Sequence, residues 1–175
     1  MKGIERLSAV ESSTPRMARA LPDMPMAPTV MVRLIRISAF GLGNFFEPVF
    51  RSIGTSEHAF HTLCLLVASE QGSAAPSELS EMIGTSRANT TRIIEELVQA
   101  ELVTRSVHAR DARRHEIAIT AAGRQAVRDI VPKMIEPLER AFSGLSAEEF
   151  ALLDRLLRKL IISLDNSARA MSAAA

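Results

Sequence analysis

Five hydrogen-bonding side chains stand close together at Ser86, Arg87, Asn89, Thr91 and Arg92, and three arginines, Arg110, Arg113 and Arg114, surround one acid, Asp111. Short hydroxyl and amide groups and forked guanidinium groups are the types that meet base edges, and guanidinium groups also meet phosphates. The segment from Arg105 to Arg114 holds four arginines and one acid, a local surplus of three positive charges in a chain whose formal net charge is +1. Charge gathered in one place makes a phosphate-binding surface; the same charge spread evenly does not.

The elements that would position these groups can be read from spacing. Ser86 is a good N-cap, because its hydroxyl accepts from a free backbone N–H in the first turn. A helix from there places Thr90, Ile93, Ile94 and Leu97 on one stripe, with Ala88, Asn89, Thr91, Arg92, Glu95 and Glu96 on the other faces. Its exposed front is polar near the N-terminus, where the helix dipole favours phosphate and where recognition helices touch bases. Residues 102–107 then alternate as a strand does, and Ile117 and Ile119 share one face of a second strand over 115–119. Between them lies the loop 108–114, too charged to bury. Taken singly, the helix reads as an ordinary core helix with a solvated face and the loop as a charged hairpin. Their order (helix, strand, basic loop, strand) is the DNA-reading half of a winged helix-turn-helix, and points to double-stranded DNA as partner.

The flanking sequence is helical. Val30, Leu34, Ile37, Phe40, Phe45 and Val49 mark a long helix over 29–53 that Pro48 bends or ends. Thr55 or Ser56 opens another, residues 77–83 form the first helix of the helix-turn-helix, and Gly84 breaks the chain before the next. Thr120 caps a helix to about Phe142 that Pro132 and Pro137 kink or divide. Ser146 and Glu149 make a capping box for a last helix carrying Phe150, Leu153, Leu156, Leu157, Leu160, Ile161 and Leu164. The fold expected is mainly α with a small β wing: a winged helix-turn-helix domain over 55–120, a helical dimerisation region over 29–53 and 121–166, a flexible N-terminal arm over 1–28 rich in proline, and a C-terminal tail over 167–175. The terminal helices are too apolar for one small domain to cover. A homodimer satisfies them, and presents two recognition helices to a pseudo-palindromic operator with half-sites about one helical turn apart.

Composition excludes several classes. One cysteine, Cys64, forbids an intrachain disulfide and suits a reducing cytoplasm. No apolar run reads as a membrane span, and no apolar stretch follows Lys2 and Arg6 as a secretion signal would require. His58, His61 and Cys64 are the available nucleophile and base set, but no oxyanion turn accompanies them, so no catalytic residue is assigned. The four histidines are scattered, and neither a metal site nor a cofactor is expected. Cys64 reads either as a small buried hydrophobe or as a peroxide-sensing thiolate.

Several stretches resemble one family of bacterial transcriptional regulators, the MarR family: Pro76-Ser77-Glu78-Leu79-Ser80, Ser86-Arg87-Ala88-Asn89 with Thr91-Arg92, Glu96-Leu97, Leu102-Val103, and Asp111-Ala112-Arg113 followed by Ile119-Thr120 and Gly123. Phe46-Glu47-Pro48 and Leu145-Ser146-Ala147-Glu148-Glu149 extend the likeness to about residues 28–165, and 76–93 look most like regulators of multidrug efflux. The resemblance implies a recognition helix over 86–100, a wing over 108–114 with Arg113 reaching the minor groove, and Asp111 orienting an arginine. It implies a cytoplasmic repressor released by a small aromatic or lipophilic effector, held by Arg33, Arg36, Phe40, Phe46, His58 and His61. Redox regulation through Cys64 and a winged helix that binds protein in place of DNA are the alternatives. Three positions depart from the family pattern. Glu101 replaces a glycine, at a cost of about 1 kcal/mol if the backbone there is left-handed. Ala112 replaces the wing's commonest first arginine, and Ala75 a capping Ser or Thr.

Overall fold

A computed structural model describes residues 2–108 and 111–173. The elements in order are α1 (Gly3–Ala20), α2 (Met26–Ile53), α3 (Glu57–Ala68), β1 (Ser73–Ala74), α4 (Pro76–Ile83), α5 (Arg87–Gln99), β2 (Val103–His108), β3 (Asp111–Ile119), α6 (Ala121–Ala141) and α7 (Ala147–Ala173). The chain divides into two compact units, residues 1–134 and residues 135–175.

The first unit is built on α3, α4, α5 and a three-stranded antiparallel sheet in the order β1-β3-β2. Leu63 and Leu66 from α3, Leu79 from α4, Ile93, Ile94 and Leu97 from α5, Val103 from β2 and Ile117 from β3 form one core, joined by Val127 of α6. Each such side chain contributes about 1.5–3 kcal/mol by leaving water, so the core fixes which face of α5 points outward. Buried polar side chains beside this core are bonded: Thr62 and Thr90 donate their hydroxyls back along the chain to His58 O and Ser86 O, and Ser80 donates to Thr85 O. β1 is a strand the sequence reading passes over, because two residues show no alternation; it pairs Ser73 with Ala118 and Ala74 with Ile117.

Helix starts follow the cap chemistry. Ser56 accepts from Ala59 N–H, Ser86 from Asn89 N–H and Thr120 from Gly123 N–H. At α4, Ala75 has no hydroxyl to give, but Glu78 accepts the Ala75 N–H at 3.0 Å and Pro76 sits at the first helical position. Gly84, in the left-handed conformation, ends α4 and turns the chain into α5.

Both chain ends need correction: α7 stays helical through Ala173 where a tail is expected over 167–175. Residues 3–20 are helical where a flexible arm is expected: Pro22 and Pro25 fall in the turn between α1 and α2, and Pro28 in the first turn of α2, where an N–H has no helical partner anyway. Leu7, Val10, Thr14 and Met17 give α1 a stripe toward α2, and Val10 is 3% exposed. α2 runs through Pro48 to Ile53, the end expected for it, so the proline does not end the helix, and α6 is one helix through Pro132 and Pro137, not two pieces. Pro48 and Pro132 lie on exposed sides, where water can take the carbonyl that each proline leaves without a partner. A further correction is that α2 is, by length and composition, apolar enough to cross a membrane. It carries Arg33, Arg36, Glu47 and Arg51, packs on α1 and α3, and buries Phe46 and Phe50.

In the second unit, Ser146 and Glu149 form the expected reciprocal capping box, with Ser146 N–H donating to Glu149 and Glu149 N–H to Ser146. Phe142 and Phe150 meet edge to face at 5.4 Å between centroids. No residue of α7 is buried, and Leu156, Leu157, Ile161, Ile162 and Leu164 are exposed along it.

Candidate nucleic-acid interface

The sheet and α5 meet through the end of the helix. Glu101 takes the left-handed conformation, φ 58°, that glycine adopts more cheaply. Its N–H donates to Val98 O and the Leu102 N–H to Leu97 O, which closes the last turn of α5 and swings the chain into β2. Thr120 then ties the far end of β3 back to this turn, donating its hydroxyl to Glu101 O at 2.9 Å. Gly123 approaches so closely that an added Cβ would stand 2.1 Å from Leu102 O. The helix and the wing are thus joined at both strand bases.

β2 and β3 pair from Val103–Ile119 outward through Arg105–Ile117 and Val107–His115 to His108–Asp111, with an irregularity between Val107 and His108. The strands therefore occupy most of the loop expected over 108–114. Val103 is buried at the base, while Arg105 and Val107 on the same face are exposed, because the ribbon leaves the body beyond the core. Arg110 lies outside the described residues, as do the side chains of Asp111, Arg113 and Arg114.

At the start of α5, Ser86, Arg87, Thr91 and Arg92 are exposed and Asn89 is half-buried, so all five expected residues have surface open to solvent around the N-cap and first turns. Ser86 accepts the Asn89 N–H, and Thr91 donates its hydroxyl to Arg87 O. Farther along, Glu95 and Glu96 make the same side acidic, which would repel phosphate; the first half of the helix is the part suited to it. Arg92 donates to Glu96 and to Asn89 Oδ1, and Asn89 Nδ2 donates to Thr85 Oγ1. Thr85 and Glu96 escape the sequence reading as site residues, although both stand four positions from a partner, the spacing at which helical side chains meet.

The six residues expected to hold an effector fall in different surroundings among the described residues, with Phe46 and His61 along one run of rings. Arg33 donates to Ser13 Oγ at 2.9 Å, and Arg6 lies 4.0 Å over the ring of Phe40. Phe46 is buried in a run of rings with Phe45 and Phe50 that continues to Phe60 and His61. His58 faces a shallow groove with Glu47 and Arg51, and Arg36 is exposed. A cavity of about 410 Å³ between α1 and α2 is lined instead by Leu7, Val10, Thr14, Val30 and Leu34, with Glu11 and Pro15. Cys64 is half-buried against the core, and burial raises its thiol above the usual range, which lowers the thiolate fraction a peroxide sensor needs. Among the described residues no three His, Cys, Asp or Glu side chains cluster as a metal site would require.

Residues 56–115 match the MarR family. The transcriptional repressor MprA of Escherichia coli K12 is 31% identical over 143 residues, spanning 82% of this chain and 81% of that protein. The chain belongs to the MarR family. This MarR chain superposes with a TM-score of 0.72 on Sco3205 of Streptomyces coelicolor, solved in complex with DNA, at 18% identity over 81% of this chain and 89% of that one. It superposes with a TM-score of 0.67 on Bordetella bronchiseptica BpsR, a protein whose DNA binding is regulated by 6-hydroxynicotinic acid, at 24% identity over 74% of this chain and 97% of that one. The winged helix-turn-helix and the role of transcriptional regulator follow from this membership.

Proposed function

We propose that this MarR-family regulator is a cytoplasmic homodimeric repressor that seats α5 in the major groove, and the β2–β3 wing against the minor groove, of a pseudo-palindromic operator. A small aromatic or lipophilic molecule releases it. One observation carries the reading: a helix whose outward first turns hold Ser86, Arg87, Asn89, Thr91 and Arg92 is joined at its end to a ribbon whose sequence holds Arg105, Arg110, Arg113 and Arg114. Asp111 orients one of these arginines. The sense of regulation rests on likeness to MprA, and the effector on likeness to BpsR. Pairing rests on the apolar faces of α2 and α7, which a second copy would cover.

Counterion release supplies the test. Each phosphate contact adds about 0.9 to the slope of log affinity against log salt. Arg113→Ala is expected to weaken operator binding at every sequence and to lower that slope by about one. Unchanged affinity and slope would place the DNA surface elsewhere. Titrating aromatic carboxylates against the protein–duplex complex tests the release step; a bound fraction that none of them lowers removes it.

A further inference from the structure

Asn89 and Arg92 both read as base-contacting residues from sequence, but their hydrogen bonds give them different work. Asn89 Nδ2 donates to Thr85 Oγ1 at 2.9 Å, and Asn89 Oδ1 accepts from Arg92 Nη2 at 3.1 Å. Arginine can only donate, so the amide oxygen must face it and the NH2 must face Thr85. An asparagine that reads adenine spends both ends of its amide on one base. Here both ends are engaged within the helix. Arg92 also donates Nη1 to Glu96 Oε1 at 2.5 Å. Its guanidinium has five N–H donors, so these two bonds leave most of the fork free. Arg92 stands on the side of α5 away from buried Thr90, Ile93 and Leu97, and exposed Ala88, four residues before it, has no side chain beyond Cβ to block a base pair.

We propose that Arg92 is the residue of α5 that reads a base pair, and that Thr85, Asn89 and Glu96 are its positioning residues, the amide holding the guanidinium from the N-terminal side and the carboxylate from the C-terminal side. The chemistry that fits a held fork is the guanine edge, with its two acceptors O6 and N7. An exposed ion pair adds little to stability. What it supplies here is a long side chain already ordered, so less rotamer freedom is lost when duplex binds. The inference rests on the DNA-binding reading above.

The experiment uses the full chain and the duplex it selects, with every base pair of one half-site varied in turn. Arg92→Ala should abolish the preference at one base pair, a change of roughly 10–100-fold in relative affinity. Asn89→Ala should relax that same base pair, less strongly, and no other. Asn89→Asp keeps an acceptor for Arg92, so it should retain the pattern of preference although its added charge weakens binding overall. The double variant should match Arg92→Ala. Thermal melts of each variant separate loss of fold from loss of reading. If Asn89→Ala relaxes a different base pair, or the double variant relaxes two, Asn89 reads a base itself and the proposal is overturned. A wild-type chain that binds duplex without any sequence preference also overturns it, whereas a chain that binds no duplex at any salt concentration defeats the underlying reading first.

Discussion

Glu101 shows how much one residue reveals and withholds. Its departure from a glycine pattern is visible in sequence, and so is the cost if the backbone is left-handed. What sequence does not show is that the turn keeps its form, with φ at 58° and the bonds from Glu101 N–H to Val98 O and from Leu102 N–H to Leu97 O both made. The helix end is set by Leu97 and Leu102 packing into the core, and that packing outweighs the local preference. Glu101→Gly should therefore raise stability by about 0.5–1 kcal/mol, since the relief of a left-handed side chain exceeds the extra freedom glycine has when unfolded. A urea melt reads this directly; a lower midpoint would contradict it. The polar face of α5 is legible in the same way. Period and cap place Asn89 and Arg92 outward, but their bonds to each other, to Thr85 and to Glu96 depend on rotamers, which no spacing rule fixes.

Elements were legible where a period ran long enough and illegible where punctuation misled. α5 and its cap follow from the stripe of Thr90, Ile93, Ile94 and Leu97. α1 does not, because four prolines crowd residues 15–28 and suggest a flexible arm, yet three of them fall where a helix needs no N–H. β1 is too short to carry a pattern, and β3 begins at Asp111 because the ribbon pairs through its charged end. The joint between wing and α6 is close-packed. Gly123 is needed there for close approach, not for its backbone angle: a Cβ would meet Leu102 O at 2.1 Å and Ile119 Cγ1 at 2.8 Å. The first contact is backbone and cannot rotate away. Gly123→Ala should cost about 1–3 kcal/mol, as overpacking does, and should loosen the Thr120 bond to Glu101 O. Hydrogen exchange at the Leu102 and Thr120 amides would report it; exchange as slow as in the parent protein would contradict the tight joint.

The whole molecule is amphipathic in a way one chain does not resolve. α7 buries nothing, and Leu157 and Ile161, one turn apart, are 43% and 60% exposed. Their surplus is why a partner helix is inferred, and charge placed there should break the pairing while sparing the chain's own fold. Leu157→Glu with Ile161→Glu is expected to halve the mass seen by light scattering at micromolar concentration; an unchanged mass would put the dimer surface elsewhere. Sequence alone carries this inference as far as the count of apolar positions, but which of them stay uncovered is a property of the folded chain. The most direct measurement is selection of bound duplexes from a random pool, with the parent protein and with an Arg92→Ala, Arg113→Ala variant. The prediction is an inverted repeat with half-site centres about one helical turn apart, enriched by the parent and not by the variant. A pool that shows no repeat, or one enriched equally by both proteins, would contradict the assignment of α5 and the wing as the DNA-reading surface.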